Sequence, residues 1–282
     1  MIVSASYRTD IPAFHARWFA DRYREGSVLV ANPYGGKPYR VALGGPDLDG
    51  FVFWTRNIAP FRPVLAEVSQ PFMVQFTVTG YPRPLDARTP EPDVALGQIR
   101  DLANRYGDRA VVWRYDPIMI SDLTPPDWHR RTFTRLADSL KGAVDEVVCS
   151  FAQLYRKTER NLAKRLGAGR WRDPSLDEKR DLLSELSTIA AENGISLTLC
   201  TQPELTDFPA TRCVDTQRLA DVAGRPISGR TKGNRPGCLC AESRDIGAYD
   251  TCAHGCAYCY AVADHDAARR RLKSPDADTC VA

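Results

Sequence analysis

Residues 72–79 read FMVQFTVT, an apolar run without a charged side chain that is bounded by turn residues. A helical pattern begins near Asp93, and residues 110–116, AVVWRYD, then form a second apolar run. Strands buried on both faces have this composition, and the order strand–helix–strand predicts a parallel βαβ unit. The helix between the two strands carries apolar side chains at helical spacing, namely Val94, Ile99, Leu102 and Tyr106.

The same alternation continues on both sides of this unit and predicts an α/β fold. We expect a partial (β/α)6 TIM-type barrel, with a flat doubly wound sheet as the alternative. Residues 1–200 would form the barrel core, and residues 201–282 a metal-stabilised, cysteine-rich C-terminal extension that packs on the barrel mouth. The predicted core strands are residues 2–6, 50–55, 72–79, 110–116, 146–151 and 195–200; further helices are expected at 60–68, 124–142 and 175–193, and a hairpin at 28–43.

Polar or reactive side chains follow almost every predicted strand, which favours the barrel. Ligands of α/β folds bind at the carboxyl ends of strands, and in a barrel these ends meet at one mouth. Each residue alone is as well explained as a cap or a turn residue, so the inference depends on their convergence. They are Ser6, Arg8 and Asp10; Thr55 and Asn57; Thr77 and Thr79; Arg114 and Asp116; Ser150; and Cys200 and Gln202.

Composition and charge narrow the class of protein. The net charge of +3 over 282 residues is too small to argue for nucleic-acid binding. The N-terminus has no basic segment before its short apolar run, so no signal peptide is expected, and no apolar run approaches the length of a membrane span. We therefore expect a cytoplasmic protein without a membrane partner. In a reducing compartment the nine cysteines are metal ligands or buried thiols rather than disulfides.

Residues 252–259, CAHGCAYC, bring three cysteines into one short loop. The sulfurs of Cys252, Cys256 and Cys259 can turn toward one point, and Gly255 allows the tight turn. Three thiolates fill three corners of a 4Fe-4S cluster and leave one iron open to a chelating ligand. The alternative is structural zinc, with two of these cysteines joined by Cys238 and Cys240, or with a nitrogen from His254.

A second set of cysteines is formed by Cys200, Cys213, Cys238 and Cys240. Four protein ligands leave no coordination position open for a substrate. This set therefore predicts either an auxiliary 4Fe-4S cluster or structural zinc that orders residues 201–240. The alternative is that Cys200 is a buried strand thiol and the others are incidental. Cys149 is expected in the core, and no role is expected for Cys280.

The cysteine loop, with Tyr258 directly before Cys259, resembles the cluster motif of radical S-adenosylmethionine (SAM) enzymes. Its ten residues 252–261 are also similar to the cluster loop of spore photoproduct lyase, which raises a DNA substrate as an alternative. Almost the whole chain resembles a bacterial family defined only as a domain of unknown function. The matching segments are residues 4–14, 52–57, 113–117, 150–151, 154–157 and 235–261.

The radical SAM resemblance implies roles for individual residues. Cys252, Cys256 and Cys259 would hold the 4Fe-4S cluster, which chelates and reductively cleaves SAM, and Tyr258 would lie near the adenine. The resulting 5′-deoxyadenosyl radical would act on an unknown substrate, and a reductant such as flavodoxin or ferredoxin would supply the electron. The basic run 269–273 either helps to capture an acidic partner or complements the dipole of its helix.

The loop comes late in the chain compared with that superfamily, and a circular permutation would explain the position. Strand 195–200 would then act as the usual first strand, residues 258–272 as its helix, and strand 2–6 as the second strand. On this hypothesis the SAM methionine lies beside the N-terminal residues Ser4, Ser6, Arg8 and Asp10. Arg114 and Asp116 are either further cofactor or substrate contacts or a buried ion pair.

Overall fold

A computed structural model describes residues 1–33 and 35–273, so that Cys280 lies outside the described residues. The strands are β1 Ile2–Ala5, β2 Ser27–Val30, β3 Tyr39–Ala42, β4 Gly50–Thr55, β5 Phe72–Thr77, β6 Val111–Ile118, β7 Ile120–Ser121, β8 Glu146–Phe151, β9 Trp171–Arg172, β10 Ser196–Leu199 and β11 Ser243–Asp245. The helices are α1 Ile11–Phe14, α2 Ala16–Arg24, α3 Arg62–Glu67, α4 Pro92–Tyr106, α5 Pro126–Leu140, α6 Arg156–Leu166, α7 Leu176–Glu192, α8 Thr216–Ala223 and α9 His265–Leu272.

Seven strands form one parallel sheet in the order β10-β8-β6-β5-β4-β1-β11. The predicted α/β class is therefore confirmed, and all six predicted core strands belong to this sheet. The sheet is open, with β10 and β11 at its edges, and the described residues form no closed barrel. The predicted hairpin is the separate antiparallel pair β2–β3.

The permutation hypothesis chose the wrong first strand. Strand β10, at residues 196–199, lies at the edge opposite β11 and does not lead into the cysteine loop. The strand before the loop is β11, and it is β11 that pairs with β1. Sequence reasoning missed β11 because its three residues, SRD, have no apolar run or periodicity. The permuted order itself remains, since the last strand in sequence lies beside the first.

Alternate residues of each strand divide the sheet into two differently covered faces, as the period of two requires. One face packs against helices in a large apolar core that includes Phe51, Phe53, Phe76 and Trp113. The opposite face carries Val52, Met73, Val112 and Val148, and these side chains pack with Leu219 of α8 and with Cys200, Cys213 and Cys240. The cysteine-rich segment thus covers the face that bears Arg114 and Ser150.

The α6 helix is a second element that sequence reasoning missed. Its sequence, RKTERNLAKRL, buries only Thr158, Asn161 and Leu162, so its apolar periodicity is weak. Asn161 fixes the helix to the C-terminal region, since its side-chain amide donates to the Val262 carbonyl at 3.2 Å. None of the helices in the described chain is long and apolar enough to cross a membrane.

His129 of α5 gives the fold a predictable sensitivity to acid. The ring is buried between the Tyr115 hydroxyl, 2.8 Å from Nδ1, and the Met119 carbonyl, 3.1 Å from Nε2. Burial lowers the pKa of His129 from 6.5 to about 4. The unfolded chain therefore binds this proton more readily than the folded chain, and stability is lost as the pH falls from about 6.5 toward 4.

We expect the free energy of unfolding at pH 4.5 to be lower than at pH 7 by about 2.5 kcal/mol from this group alone. Urea unfolding of the wild type and of His129→Gln at both pH values measures the effect. The variant is expected to be less stable at pH 7 but to lose less stability on acidification. The same pH dependence in both proteins would show that His129 is not the responsible group.

Candidate active site

The Cys252–Cys259 loop lies between β11 and α9, at the carboxyl end of the parallel sheet, and is held from two sides. On one side the Ala257 amide donates to the Leu85 carbonyl at 2.8 Å, and Cys256 forms an isolated bridge with Asp86. On the other side His254 Nε2 lies 2.7 Å from the Asp10 carboxylate. The loop is therefore fixed to the segments that follow β5 and β1.

Asp10 is the principal anchor of the loop. Its Oδ1 caps α1 by accepting from the Ala13 amide at 2.9 Å, and it also accepts from the Thr55 hydroxyl at 2.8 Å. Its Oδ2 accepts from the Arg56 amide at 2.8 Å and contacts His254. One buried carboxylate thus joins the ends of two neighbouring strands to the cysteine loop.

The three thiols of the loop are surrounded by features that suit metal-bound sulfur. Cys256 is buried, and Cys252 and Cys259 are half-buried. Burial, followed by the negative charge of Asp10, raises the pKa of Cys252 to about 12, and burial also raises the pKa of Cys256 and Cys259. The backbone around two of the thiols has the opposite effect: His254 and Asp10 lower the pKa of Cys252, and the Ala261 amide donates to the Cys259 sulfur at 3.3 Å.

Tyr258 has a buried polar network of its own. Its hydroxyl donates to Asp86 Oδ1 at 2.6 Å and accepts from Arg56 Nη2 at 2.5 Å, while Arg56 Nη1 pairs with Asp86 Oδ2 at 2.7 Å. The ring of Tyr81 meets the ring of Tyr258 edge-on, with centroids 5.5 Å apart. The hydroxyl of Tyr258 is thus fully occupied by Arg56 and Asp86, neither of which was singled out in the sequence as a site residue.

Removing the charge of Asp86 would leave the Arg56 guanidinium, only 12% exposed, without its buried partner. We expect Asp86→Asn to lower the free energy of unfolding by about 3 kcal/mol, because an uncompensated buried charge is costly. The matched control is Asp101→Asn, which breaks the exposed pair with Arg62 and is expected to cost less than about 0.5 kcal/mol. Urea unfolding measures both variants, and equal losses would contradict the role given to Asp86.

Ser4, Ser6 and Arg8 surround a second buried carboxylate, that of Asp245 in β11. The hydroxyls of Ser4 and Ser6 donate to Asp245 at 2.8 and 2.6 Å, and Arg8 Nε lies 3.8 Å from it. Burial raises the pKa of Asp245 although Ser6 and Arg8 favour its charged form. At Gly247 an added Cβ would lie 2.2 Å from the Ser6 oxygen, so only glycine fits there.

These contacts place the four predicted N-terminal residues in two groups. Asp10 touches the cysteine loop directly through His254, whereas Ser4, Ser6 and Arg8 organise the neighbouring β1–β11 junction. Asp245 was missed because it lies 241 residues from Ser4 in the chain. The only sequence signal was a carboxylate two residues before a glycine.

The second set of cysteines forms a chain of sulfur contacts on the other covered face of the sheet. Cys200 and Cys213 have their sulfurs 3.6 Å apart, and the Cys240 sulfur accepts from the amide of Val214, the residue after Cys213, at 3.4 Å. The neighbouring Cys240 thiol lowers the pKa of Cys238 to about 6. All four predicted members of this set therefore lie together.

Arg114 and Asp116 belong to this second set and make no direct contact with the first loop. Arg114 Nη1 lies 3.1 Å from the Cys213 sulfur, and its Nη2 pairs with Asp116. The Ser150 hydroxyl donates to the other oxygen of Asp116. The pair is thus a buried ion pair next to sulfur, with the guanidinium carbon 5.1 Å from the Trp54 ring centroid.

Aromatic and basic side chains lie between the two cysteine sets. The Tyr260 hydroxyl donates to the Tyr7 carbonyl at 2.5 Å although its ring is exposed, and the Tyr7 ring meets Trp54 edge-on. Arg235 extends from the second set, 3.6 Å from the Cys200 sulfur. Beside it an open cleft of about 1120 Å³ of empty space is lined by residues that include Phe151, Gln153, Tyr155, Lys179, Gln202 and Arg235.

Within residues 1–33 and 35–273, no group of three or more His, Cys, Asp or Glu side chains is arranged to hold a metal ion as it stands. Binding at either set of cysteines therefore requires side chains to turn inward around the metal. The two sets differ in how close their sulfurs already are. In the second set the Cys200 and Cys213 sulfurs are 3.6 Å apart, whereas no hydrogen bond between sulfurs joins Cys252, Cys256 and Cys259.

Comparison with known proteins gives one match. A family model described as "Domain of unknown function (DUF1848)" matches residues 2–261, which is nearly the whole chain. No curated protein and no solved structure matches the chain.

Proposed function

The chain belongs to the DUF1848 family, and we propose that it is a radical SAM enzyme whose 4Fe-4S cluster is held by Cys252, Cys256 and Cys259. The observation that carries the proposal is the environment of these thiols. All three lie in one short loop, with Cys256 buried and the other two half-buried, and the Ala261 amide donates to the Cys259 sulfur at 3.3 Å. Such amides stabilise anionic sulfur and tune iron–sulfur sites, so the loop suits thiolate ligands.

The position of the loop also supports the proposal. It lies at the carboxyl end of a parallel sheet, where α/β enzymes bind their ligands. From the β11 edge the sheet continues with β1, β4, β5, β6, β8 and β10, so that after β11 the strands lie side by side in sequence order. This uniform order supports a partial barrel. In that barrel the cysteine loop would follow the first strand in space, although it comes last in the sequence.

The cluster would supply the reactivity, and the protein residues would position the loop that holds it. When bound and reduced, such a cluster supplies the electron that cleaves SAM to methionine and a 5′-deoxyadenosyl radical. Asp10 holds His254 and thereby fixes the first half of the loop, and Arg56 and Asp86 hold Tyr258 in the second half. These buried pairs keep the loop rigid and exclude water from it.

The substrate space would lie between the two cysteine sets, where Tyr7, Trp54 and Tyr260 offer aromatic surfaces and Arg235 offers a positive charge. Arg235 carries no carboxylate partner among the described residues, because its contacts are Gln153 at 3.4 Å and Cys200 at 3.6 Å. A planar or apolar substrate with an anionic group fits this combination of side chains.

We assign a single zinc ion, rather than an auxiliary cluster, to Cys200, Cys213, Cys238 and Cys240. With Zn–S bonds of about 2.3 Å, two sulfurs on one tetrahedral ion lie about 3.8 Å apart. The 3.6 Å between Cys200 and Cys213 is close to this spacing. Ligands on different irons of a cluster lie farther apart. The ion would tie residues 201–241 to the edge strand β10.

A non-catalytic protein with zinc at both sets is the second candidate, and one observation favours it. His254 Nδ1 is buried without a hydrogen-bond partner while Nε2 is held by Asp10. A carboxylate–histidine pair of this kind commonly orients a zinc ligand. His254 with the three loop cysteines would then give a closed Cys3His site.

Anaerobic purification followed by metal analysis separates the two candidates. The enzyme is expected to be brown, with absorbance near ~400 nm from iron–sulfur charge transfer, and to form 5′-deoxyadenosine from SAM with dithionite. It is also expected to contain one zinc ion together with the cluster iron. A colourless protein with two zinc ions and no iron would establish the non-catalytic candidate instead.

A further inference from the structure

Three arginine side chains lie over the outer side of the cysteine loop. A Cβ added to Gly255 would lie 3.2 Å from Arg88 Nη1 and 3.9 Å from Arg165 Nη2. Arg269 of α9 is the third member, since it lies one helical turn after Asp266, which pairs with Lys164 next to Arg165. Arg88 and Arg165 are exposed and Arg269 is half-buried. Arg88, Arg165 and Arg269 are called the arginine cluster below.

The positive charge of the arginine cluster is not balanced by ion pairs among the described residues. No carboxylate of the described residues lies within 4.0 Å of any of the three guanidinium groups, whereas ion pairs elsewhere in the described chain are within this distance. Asp266, whose charge acts on Arg88, forms no ion pair with it and is already paired with Lys164 at 3.5 Å. By contrast, Arg56 and Arg114 at the buried sites are each paired with an aspartate.

Like charges held together without a counter-charge attract an anionic partner, and the effect is largest at low salt. Gly255 fixes the location, because it is buried directly beneath this surface, with Arg88 Nη1 and the Ala87 methyl group nearest to the position that a Cβ would take. A partner seated on the arginine cluster would therefore lie above the Gly255 turn of the loop and not on a distant part of the surface. Close approach is what electron transfer into a buried centre requires.

We propose that the arginine cluster is the docking surface for an acidic electron-carrier protein that reduces the cluster beneath it. This inference rests on the proposed function. In the step itself the reduced carrier loses one electron and the cluster gains it, and no bond is formed or broken. Redox encounters of this kind use small, weak interfaces, so that three clustered charges are a substantial part of the recognition.

A charge-reversal experiment tests the surface on the full chain, with an acidic flavodoxin as the probe. The triple variant Arg88→Glu/Arg165→Glu/Arg269→Glu changes the net charge from +3 to −3, because each substitution changes it by two. The matched control, Arg105→Glu/Arg131→Glu/Lys141→Glu, makes the same change at exposed positions of α4 and α5 and directly after α5. Thermal unfolding confirms that both variants are folded.

Two readouts are measured at low ionic strength: flavodoxin binding by calorimetry, and the rate of cluster reduction by reduced flavodoxin and by dithionite. The arginine-cluster variant is expected to lose at least about tenfold in binding and in reduction by flavodoxin, and the control less than about threefold. Reduction by dithionite is expected to be unchanged in both, since a small reductant needs no docking surface.

Equal losses in the two variants would overturn the proposal, because they would show an effect of net charge alone. Unchanged flavodoxin binding combined with lost binding of duplex DNA would also overturn it and identify the arginine cluster as a nucleic-acid contact. A purified chain without iron would refute the proposed function separately. The binding measurement would still decide the surface in that case, since it does not use the cluster.

Discussion

Replacing any one of Cys252, Cys256 and Cys259 by alanine is expected to remove the cluster iron and to reduce 5′-deoxyadenosine formation at least about 100-fold. In the proposed cluster each thiolate would bind a different iron, and the loop offers no other sulfur to take its place. The protein should remain folded, because the loop is also fixed by Asp10 and by the Leu85–Ala257 backbone contact. Iron and sulfide analysis, absorbance and product formation measure the effect.

Cys149→Ala is the matched control for these variants. Cys149 is fully buried in β8, and its carbonyl accepts the Cys200 backbone amide at 2.9 Å. Its side chain nevertheless packs in the helix-side core, on the face of the sheet opposite to the second set. It is expected to retain all iron and full SAM cleavage, at a modest cost in stability from the smaller side chain. Retention of iron in the Cys256→Ala variant, or loss of zinc in place of iron, would contradict the assignment of this loop to the cluster.

Replacing Cys213 by alanine is expected to remove one zinc ion and to release residues 201–241 from the sheet. A structural zinc ion contributes about 10 kcal/mol or more of binding free energy that is also folding free energy. Cys213 also contacts Arg114 and accepts a hydrogen bond from Gln75 through its carbonyl, so its position links the metal to the sheet. We expect the free energy of unfolding to fall by at least about 4 kcal/mol.

Metal analysis and limited proteolysis measure this second effect, with cleavage expected within residues 201–241. Treatment of the wild type with a zinc chelator should reproduce the cleavage pattern, whereas Cys149→Ala should not. If Cys213→Ala retained its zinc but lost iron, the second set would hold the auxiliary cluster that the sequence also allowed. If the wild type bound no metal at these residues, its cysteines would be ordinary buried thiols.

The elements of the fold that depend on local pattern were predictable from the sequence. Apolar runs such as residues 72–79 and 146–151 located the strands, and the helix expected at 175–193 corresponds to α7. Elements held by distant partners were not predictable in this way. β11 exists because it pairs with β1, and α6 because it packs against the C-terminal region.

The residues of the candidate site also differ in whether local sequence or distant contacts reveal them. The two cysteine sets were identifiable because ligand spacing and residue type are visible in the chain itself. The carboxylates that position them, Asp86 and Asp245, were not, because their importance depends on contacts with Tyr258 and Ser4, which are 172 and 241 residues away. Arg88 was also missed, since its position over Gly255 requires the packed loop.

The pairing of β1 with β11 makes the order of synthesis matter for this protein. Ile2–Ser4 leave the ribosome first, but their partners Ser243–Asp245 are added last of all the sheet strands. At about 5–20 residues per second the separation of roughly 240 residues is a delay of about 10–50 s. The first strand therefore has one edge unpaired until the chain is almost complete, and the Cys252–Cys259 loop is synthesised later still.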